Sequence, residues 1–253
     1  MILQPTQIQF FTENGYLIVR NLLTENEINS YRNLYEDFLS NKIDASKFRS
    51  DLSGSNTDQT FKTEKITQIM VPSRLQPDLL KQALHEKSLA IAKELLGNDI
   101  ELDFDMLIDK APFTNTPTPW HQDCAYWLTM PDIRATSCWV ALDDAFIENG
   151  CMWYVPGSHK LPVRSHRPAG KEGGALQCDA EESEGIAGEI KAGDCIFHHG
   201  ATLHYSRGNA TDKRRRAFIT NFRPAAMIAL ERENGFDHTQ ERKVRDSKAK
   251  NPQ

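Results

Sequence analysis

Apolar positions follow helical spacing near the N-terminus and a tighter, strand-like spacing past residue 99. The spacing predicts a short first helix, with Thr6 as cap and an end near Glu13-Asn14-Gly15. Tyr16-Leu17-Ile18-Val19 is an apolar run of strand length. Thr24 followed by Glu27 forms a capping box, in which each side chain satisfies the other's free backbone N–H, and predicts a helix to about Leu39. Residues 41–64 are polar and crowded with Ser, Asp, Gly and Asn, the composition of a loop. A further helix is expected over Gln76–Leu96, stopped by Gly97-Asn98. Strands are expected at Ile100–Asp109, Trp120–Trp127, Ala135–Ala145, Cys151–Val155, Gly188–Lys191, Asp194–His199, His204–Ser206 and Arg216–Arg223. Short strands between turn clusters indicate a sandwich or barrel. Helices come first and strands later, without βαβ alternation, so the expected class is α+β with helices on one face of an antiparallel core. Residues 164–187 read as a long loop, and the charged tail after Glu231 is expected to fray.

The 253-residue length fits a single domain: helical flank 1–98, β core 99–230, charged tail 231–253. A net charge of -5 offers no general attraction to nucleic acid or an anionic membrane; the expected partner is a small molecule. Five cysteines, an odd number without a CxxC pair, argue against a disulfide framework and for a reducing compartment. The opening MILQPTQIQFF lacks the marks of a signal peptide, and no run reaches the ~20 apolar residues of a membrane span, so a cytoplasmic location is expected.

The central chemical signal is His121-Gln122-Asp123. On a strand, residues i and i+2 share a face, so an imidazole and a carboxylate would stand side by side. They make two thirds of the two-histidine, one-carboxylate set that suits non-haem Fe(II). His198, His199 and His204 are the candidates for the third ligand. His204 is preferred because a turn through Gly208, Asn209 and Thr211-Asp212 would bring Arg215 back beside it on a neighbouring strand. Three protein ligands leave room for a chelating 2-oxoacid and O2. The far carboxylate of 2-oxoglutarate then needs a buried two-pronged cation, which arginine supplies. Fe(II), one aspartate, the dianion and one arginine sum to about zero charge, which limits the cost of burial. Alternation puts Lys213 and Arg215 on one face, so periodicity leaves the choice between them open.

The chain resembles the phytanoyl-CoA dioxygenase (PhyH-like) family. The resemblance runs through QIQFFTENGYLIVRNLLTENEI, MLIDKAP, WHQD, WVALDDAFIENGCMWYVPGSHK and AGDCIFHHGATLHYSRGN…RRRAF, in that order. It implies a double-stranded β-helix (jelly roll) and an Fe(II)- and 2-oxoglutarate-dependent dioxygenase. Such an enzyme oxidises, by preference hydroxylates, a C–H bond and releases succinate and CO2. By the same resemblance His121, Asp123 and His204 hold the metal and Arg215 the oxoglutarate tail. Ser206, Trp139, Met106 and Gln68 line the cosubstrate site. His199 is a structural histidine, and His159 orders the Pro156-Gly157-Ser158 turn. His166 reads as solvated. Tyr126 and Trp127 are candidate pocket walls, and Arg134, Arg164 and Arg167 read as surface charge or anion contacts. The rival readings are a metal-dependent hydrolase, which has no use for Arg215, and a non-catalytic sensor on the same fold.

Overall fold

The computed structural model describes residues 3–53, 64–169 and 175–238. Helix α1 (Pro5–Asn14) leads into β1 (Tyr16–Val19) and α2 (Glu25–Leu39). Next come β2 (Arg49–Asp51), β3 (Ile66–Met70), the single turn α3 (Pro72–Leu75), a 3-10 turn at Pro77–Lys81 and α4 (Ala83–Leu96). Then follow β4 (Ile100–Lys110), β5 (Thr118–His121), β6 (Thr136–Ala141), β7 (Met152–Tyr154), β8 (Arg167–Pro168) and β9 (Leu176–Gln177). The chain continues through β10 (Ile186–Gly188), β11 (Cys195–His199), β12 (His204–Ser206) and β13 (Arg215–Pro224) into α5 (Ala225–Glu233).

The expected box at α2 is present, with Thr24 N donating to Glu27 Oε2 at 2.7 Å and Glu27 N to Thr24 Oγ1 at 3.4 Å. Five expectations change. Pro5, whose fixed φ and missing N–H suit the first helical position, makes Gln4 the cap of α1 and leaves Thr6 inside the helix. Within the expected 41–64 loop, Arg49–Asp51 pairs with β3, while residues 54–63 lie outside the described residues. The single helix expected over 76–96 is two pieces, a 3-10 turn and α4, because Pro77 cannot donate to a preceding turn and Gln82 is extended. The strand expected over Trp120–Trp127 ends at His121, and Asp123–Tyr126 forms a 3-10 turn. The tail expected to fray begins inside α5, which packs on β13. Its later part, residues 239–253, lies outside the described residues.

Two antiparallel sheets face each other, one of seven strands in the order β1-β11-β6-β13-β4-β3-β2 and one of four in the order β10-β7-β12-β5. This is the jelly-roll core. Alternate residues of the larger sheet serve two layers. Leu107, Val140, Phe197, Phe218 and Phe222 pack against Tyr31, Tyr35, Leu84 and Ile91 of the helices. Trp139, Ile196, Ala217 and Ile219 turn inward toward Met152 and Tyr154. Covered on both faces, β3 and β6 are buried at every position. The inner layer is apolar at one end and opens at the other into a cavity lined by both sheets.

Candidate metal centre

Strand pairing brings the candidate metal ligands together. β12 lies beside β5, with His204 opposite His121, and the two rings are 4.2 Å apart. Gln122 is extended (φ -122, ψ 129), so Asp123 shares the side of His121 even though the strand has ended. Asp123 Oδ1 lies 3.7 Å from Nε2 of each histidine. The hydrogen bonds fix which ring nitrogens are bare. His121 Nδ1 is 2.7 Å from Pro119 O and His204 Nδ1 is 2.8 Å from Thr202 O. A carbonyl only accepts, so each Nδ1 carries the proton and each Nε2 presents a lone pair. The three ligand atoms fall within 4.8 Å of one another.

Asp123 is oriented by its second oxygen. Oδ2 accepts from Ser137 Oγ at 2.9 Å and from His198 Nε2 at 3.2 Å, and Asn221 Nδ2 donates to Ser137 Oγ at 2.9 Å. Burial opposes ionisation of Asp123, but the surrounding imidazoles, His204 first, outweigh it and hold the carboxyl well below its usual range. Burial, then His121 and His198, holds His204 well below the ordinary imidazole value. An ionised carboxylate and a neutral imidazole are the donor forms that a divalent cation needs.

Arg215 is not on a strand next to His204, as the sequence led us to expect. It begins β13 in the opposite sheet and reaches the same cavity from across it. Of the four basic residues here, Lys213 is exposed, Arg214 pairs with Asp109, and Arg216 pairs with Asp143 and Glu36. Arg215 alone turns inward and is 1% exposed. Its guanidinium lies 5.1 Å from the Trp139 ring, and its Nε and Nη1 have no hydrogen-bond partner. Burial lowers its pKa to about 10, which leaves it charged at neutral pH. A buried cation in this state fits a carboxylate tail. Ser206 Oγ is likewise buried without a partner. Gln68 Nε2 donates to Met106 Sδ at 3.4 Å, and both side chains line the cavity with Trp139 and Ser206. The donor trio and the unpaired groups facing it thus fit a chelated ferrous ion and a diacid.

The outer part of the cavity is apolar and aromatic, with Phe104, Tyr126, Trp127, Leu176 and Phe236, and His238 beside them. Tyr126 and Trp127 stand where the sequence placed them. Arg134 pairs with Asp99 and Asp132, Arg164 with Glu184, and Arg167 with Asp179, and none of the three lines the cavity. His166 is not solvated: its Nε2 accepts from Gln122 N at 3.0 Å and its Nδ1 donates to Arg164 O at 2.6 Å, which braces the backbone between His121 and Asp123. His159 ties its turn to α1 through Thr12 O, and His199 packs on His159. Ser137, His198 and Asn221 were not given their roles by the sequence. Alternation from Trp139 would have found Ser137 on the same face.

A second group, Asp103, Glu231 and His238, also clusters closely enough for a cation. Arg223 Nη1 lies 3.1 Å from Asp103 and 2.5 Å from Glu231, and Arg232 also reaches both. Two guanidiniums already neutralise these carboxylates, so the cluster is an ion-pair network. It holds the wall of the cavity, because Arg223 underlies Trp127 and Glu231 accepts from Leu128 N.

The family model for phytanoyl-CoA dioxygenase (PhyH) matches residues 11–217. The chain belongs to the PhyH family. A phytanoyl-CoA dioxygenase of Arabidopsis thaliana is 29% identical over 248 residues, covering 85% of this chain and 87% of that protein. A probable phytanoyl-CoA dioxygenase of Caenorhabditis elegans is 28% identical over 236 residues, covering 87% and 75%. The crystal structure of EvdO2 from Micromonospora carbonacea var. aurantiaca complexed with 2-oxoglutarate aligns with a TM-score of 0.72 at 26% identity, covering 89% of this chain and 92% of that one. This PhyH chain therefore resembles, over most of its length, a protein solved with the diacid that its unpaired arginine suits.

Proposed function

We propose that this PhyH-family chain is an Fe(II)- and 2-oxoglutarate-dependent dioxygenase that hydroxylates a C–H bond of a small molecule and releases succinate and CO2. One observation carries the reading: three metal-ligand atoms converge in a cavity whose far wall holds an unpaired, buried guanidinium. His121, Asp123 and His204 would hold the iron. Bound there, ferrous iron and 2-oxoglutarate supply the O2-dependent oxidising power. The protein does the rest. Arg215 binds and orients the tail of the diacid, with Ser206 beside it and Trp139, Met106 and Gln68 as walls. Ser137 and His198 keep Asp123 Oδ1 facing the histidines. Tyr126, Trp127 and Phe236 wall the outer chamber and exclude water.

The apolar outer chamber suits a substrate with a largely hydrophobic body. Five unpaired cysteines accord with a cytoplasmic setting, although bovine and human relatives are named peroxisomal. The reading is tested by succinate release from Fe(II), 2-oxoglutarate and a panel of hydrophobic small molecules. Stimulated, iron-dependent succinate formation is expected. Turnover of a substrate without O2 and 2-oxoglutarate would transfer the site to the hydrolase reading.

A further inference from the structure

Next to Arg215 lies a second buried cation that the metal and diacid contacts leave unused. Lys110, on β4, is fully buried and stands directly opposite Arg215 in the β4–β13 ladder. Its ammonium donates to three backbone carbonyls rather than to a carboxylate: Arg207 O at 2.6 Å, Ser206 O at 3.3 Å and Thr116 O at 3.3 Å. Three acceptors take all three N–H bonds of an ammonium, so the cage fits the charged form. Ser206 O ends β12, Arg207 O follows it and Thr116 O precedes β5, so Lys110 joins the seven-stranded wall to the four-stranded one. The junction falls where Arg215 and the Ser206 hydroxyl stand unpaired.

We infer that Lys110 is a positioning residue for the diacid's tail carboxylate: it pins Ser206 to the wall that carries Arg215 and adds a second positive charge behind that wall. The inference rests on the cosubstrate reading above. Two neighbouring buried cations repel, and an arriving carboxylate relieves both, whereas a 2-oxoacid without a tail carboxylate relieves neither. Burial first, and Arg215 second, pull the Lys110 pKa well below the ordinary lysine value, and a carboxylate arriving beside the two cations would oppose that pull. Lys110 would thus set the preference for a diacid over a monoacid while leaving metal binding alone.

The test compares 2-oxoglutarate with 2-oxobutyrate, which has the same chelating head and no tail carboxylate, by titration calorimetry in the presence of Mn(II). In Lys110→Met, 2-oxoglutarate binding should weaken at least tenfold, while 2-oxobutyrate and Mn(II) binding change less than twofold. Lys110→Gln, which keeps donors for the carbonyls without the charge, should fall between. A purely structural role would weaken both oxoacids alike, and that result, or no change, overturns the inference while leaving the cosubstrate reading intact. Should neither variant fold, hydrogen exchange on the wild-type protein decides. The amides of residues 204–208 should slow with 2-oxoglutarate and not with 2-oxobutyrate, and equal protection overturns the inference. A wild-type protein that binds neither oxoacid overturns both readings.

Discussion

Replacing Ser137 with alanine removes one of two hydrogen bonds that hold the outer oxygen of Asp123, and its effect on metal affinity can be worked from the geometry. The Ser137 hydroxyl lies 2.9 Å from Oδ2, and His198 Nε2 is the second donor at 3.2 Å. A hydrogen bond to a charged group is worth about 1.5–3 kcal/mol net. If that energy serves to orient the carboxylate, its loss weakens metal binding by roughly 10- to 100-fold, the range seen when outer partners of metal ligands are removed. His198 remains, so the lower half of the range is expected. The substitution also strips Asn221 Nδ2 of its acceptor in a site where Asn221 is 1% exposed, at a stability cost of about 1–3 kcal/mol. The assay is Mn(II) titration calorimetry, with urea denaturation of the metal-free protein alongside. Weaker metal binding at modest stability loss is expected. Unchanged metal affinity would refute the orienting role of Ser137, whatever happens to stability.

Three further outcomes are expected. Arg215→Met should weaken 2-oxoglutarate by at least about tenfold at unchanged Mn(II) affinity and, by removing an unpaired buried charge, raise the melting temperature of the ligand-free protein, as calorimetry and thermal denaturation will show. Glu231 should confer acid sensitivity: burial opposes its ionisation, but His238 and Arg223 outweigh that and hold its pKa at about 2, below the usual 4.5. Its contribution, at most about 3 kcal/mol, is therefore present above pH 4.5 and lost as the pH falls toward 2, and the acid limb of stability against pH should flatten in Glu231→Gln. Gly208→Ala should destabilise by roughly 3 kcal/mol in urea denaturation, because its new Cβ would sit 2.1 Å from the backbone carbon of Asn115, which cannot step aside.

Local signals were legible where a few side chains decide the outcome. Thr24 and Glu27 wrote the start of α2, and Gly15, left-handed at φ 76, wrote the end of α1. β3 was not legible, because ITQIM is buried at every position and carries no alternation to read. The order of motifs indicated the jelly roll, but the ladder that sets His204 opposite His121 is a long-range pairing that no local pattern encodes. Arg215 shows the limit most plainly. Lys213 has the same parity, and only the point where β13 begins, with Arg214 and Arg216 drawn outward by Asp109 and Asp143, decides which cation enters the cavity. His198 and His199 differ only in which face of β11 they occupy, and the first of them reaches Asp123.

The central claim is that one divalent ion and one diacid share this cavity in a defined arrangement. Crystals grown with Mn(II) and 2-oxoglutarate, with data collected at the manganese absorption edge, address it directly. The account predicts an anomalous peak bound by Nε2 of His121, Nε2 of His204 and Oδ1 of Asp123, with the diacid reaching from it to Arg215. A peak among Asp103, Glu231 and His238, or a diacid bound away from Arg215, would contradict it.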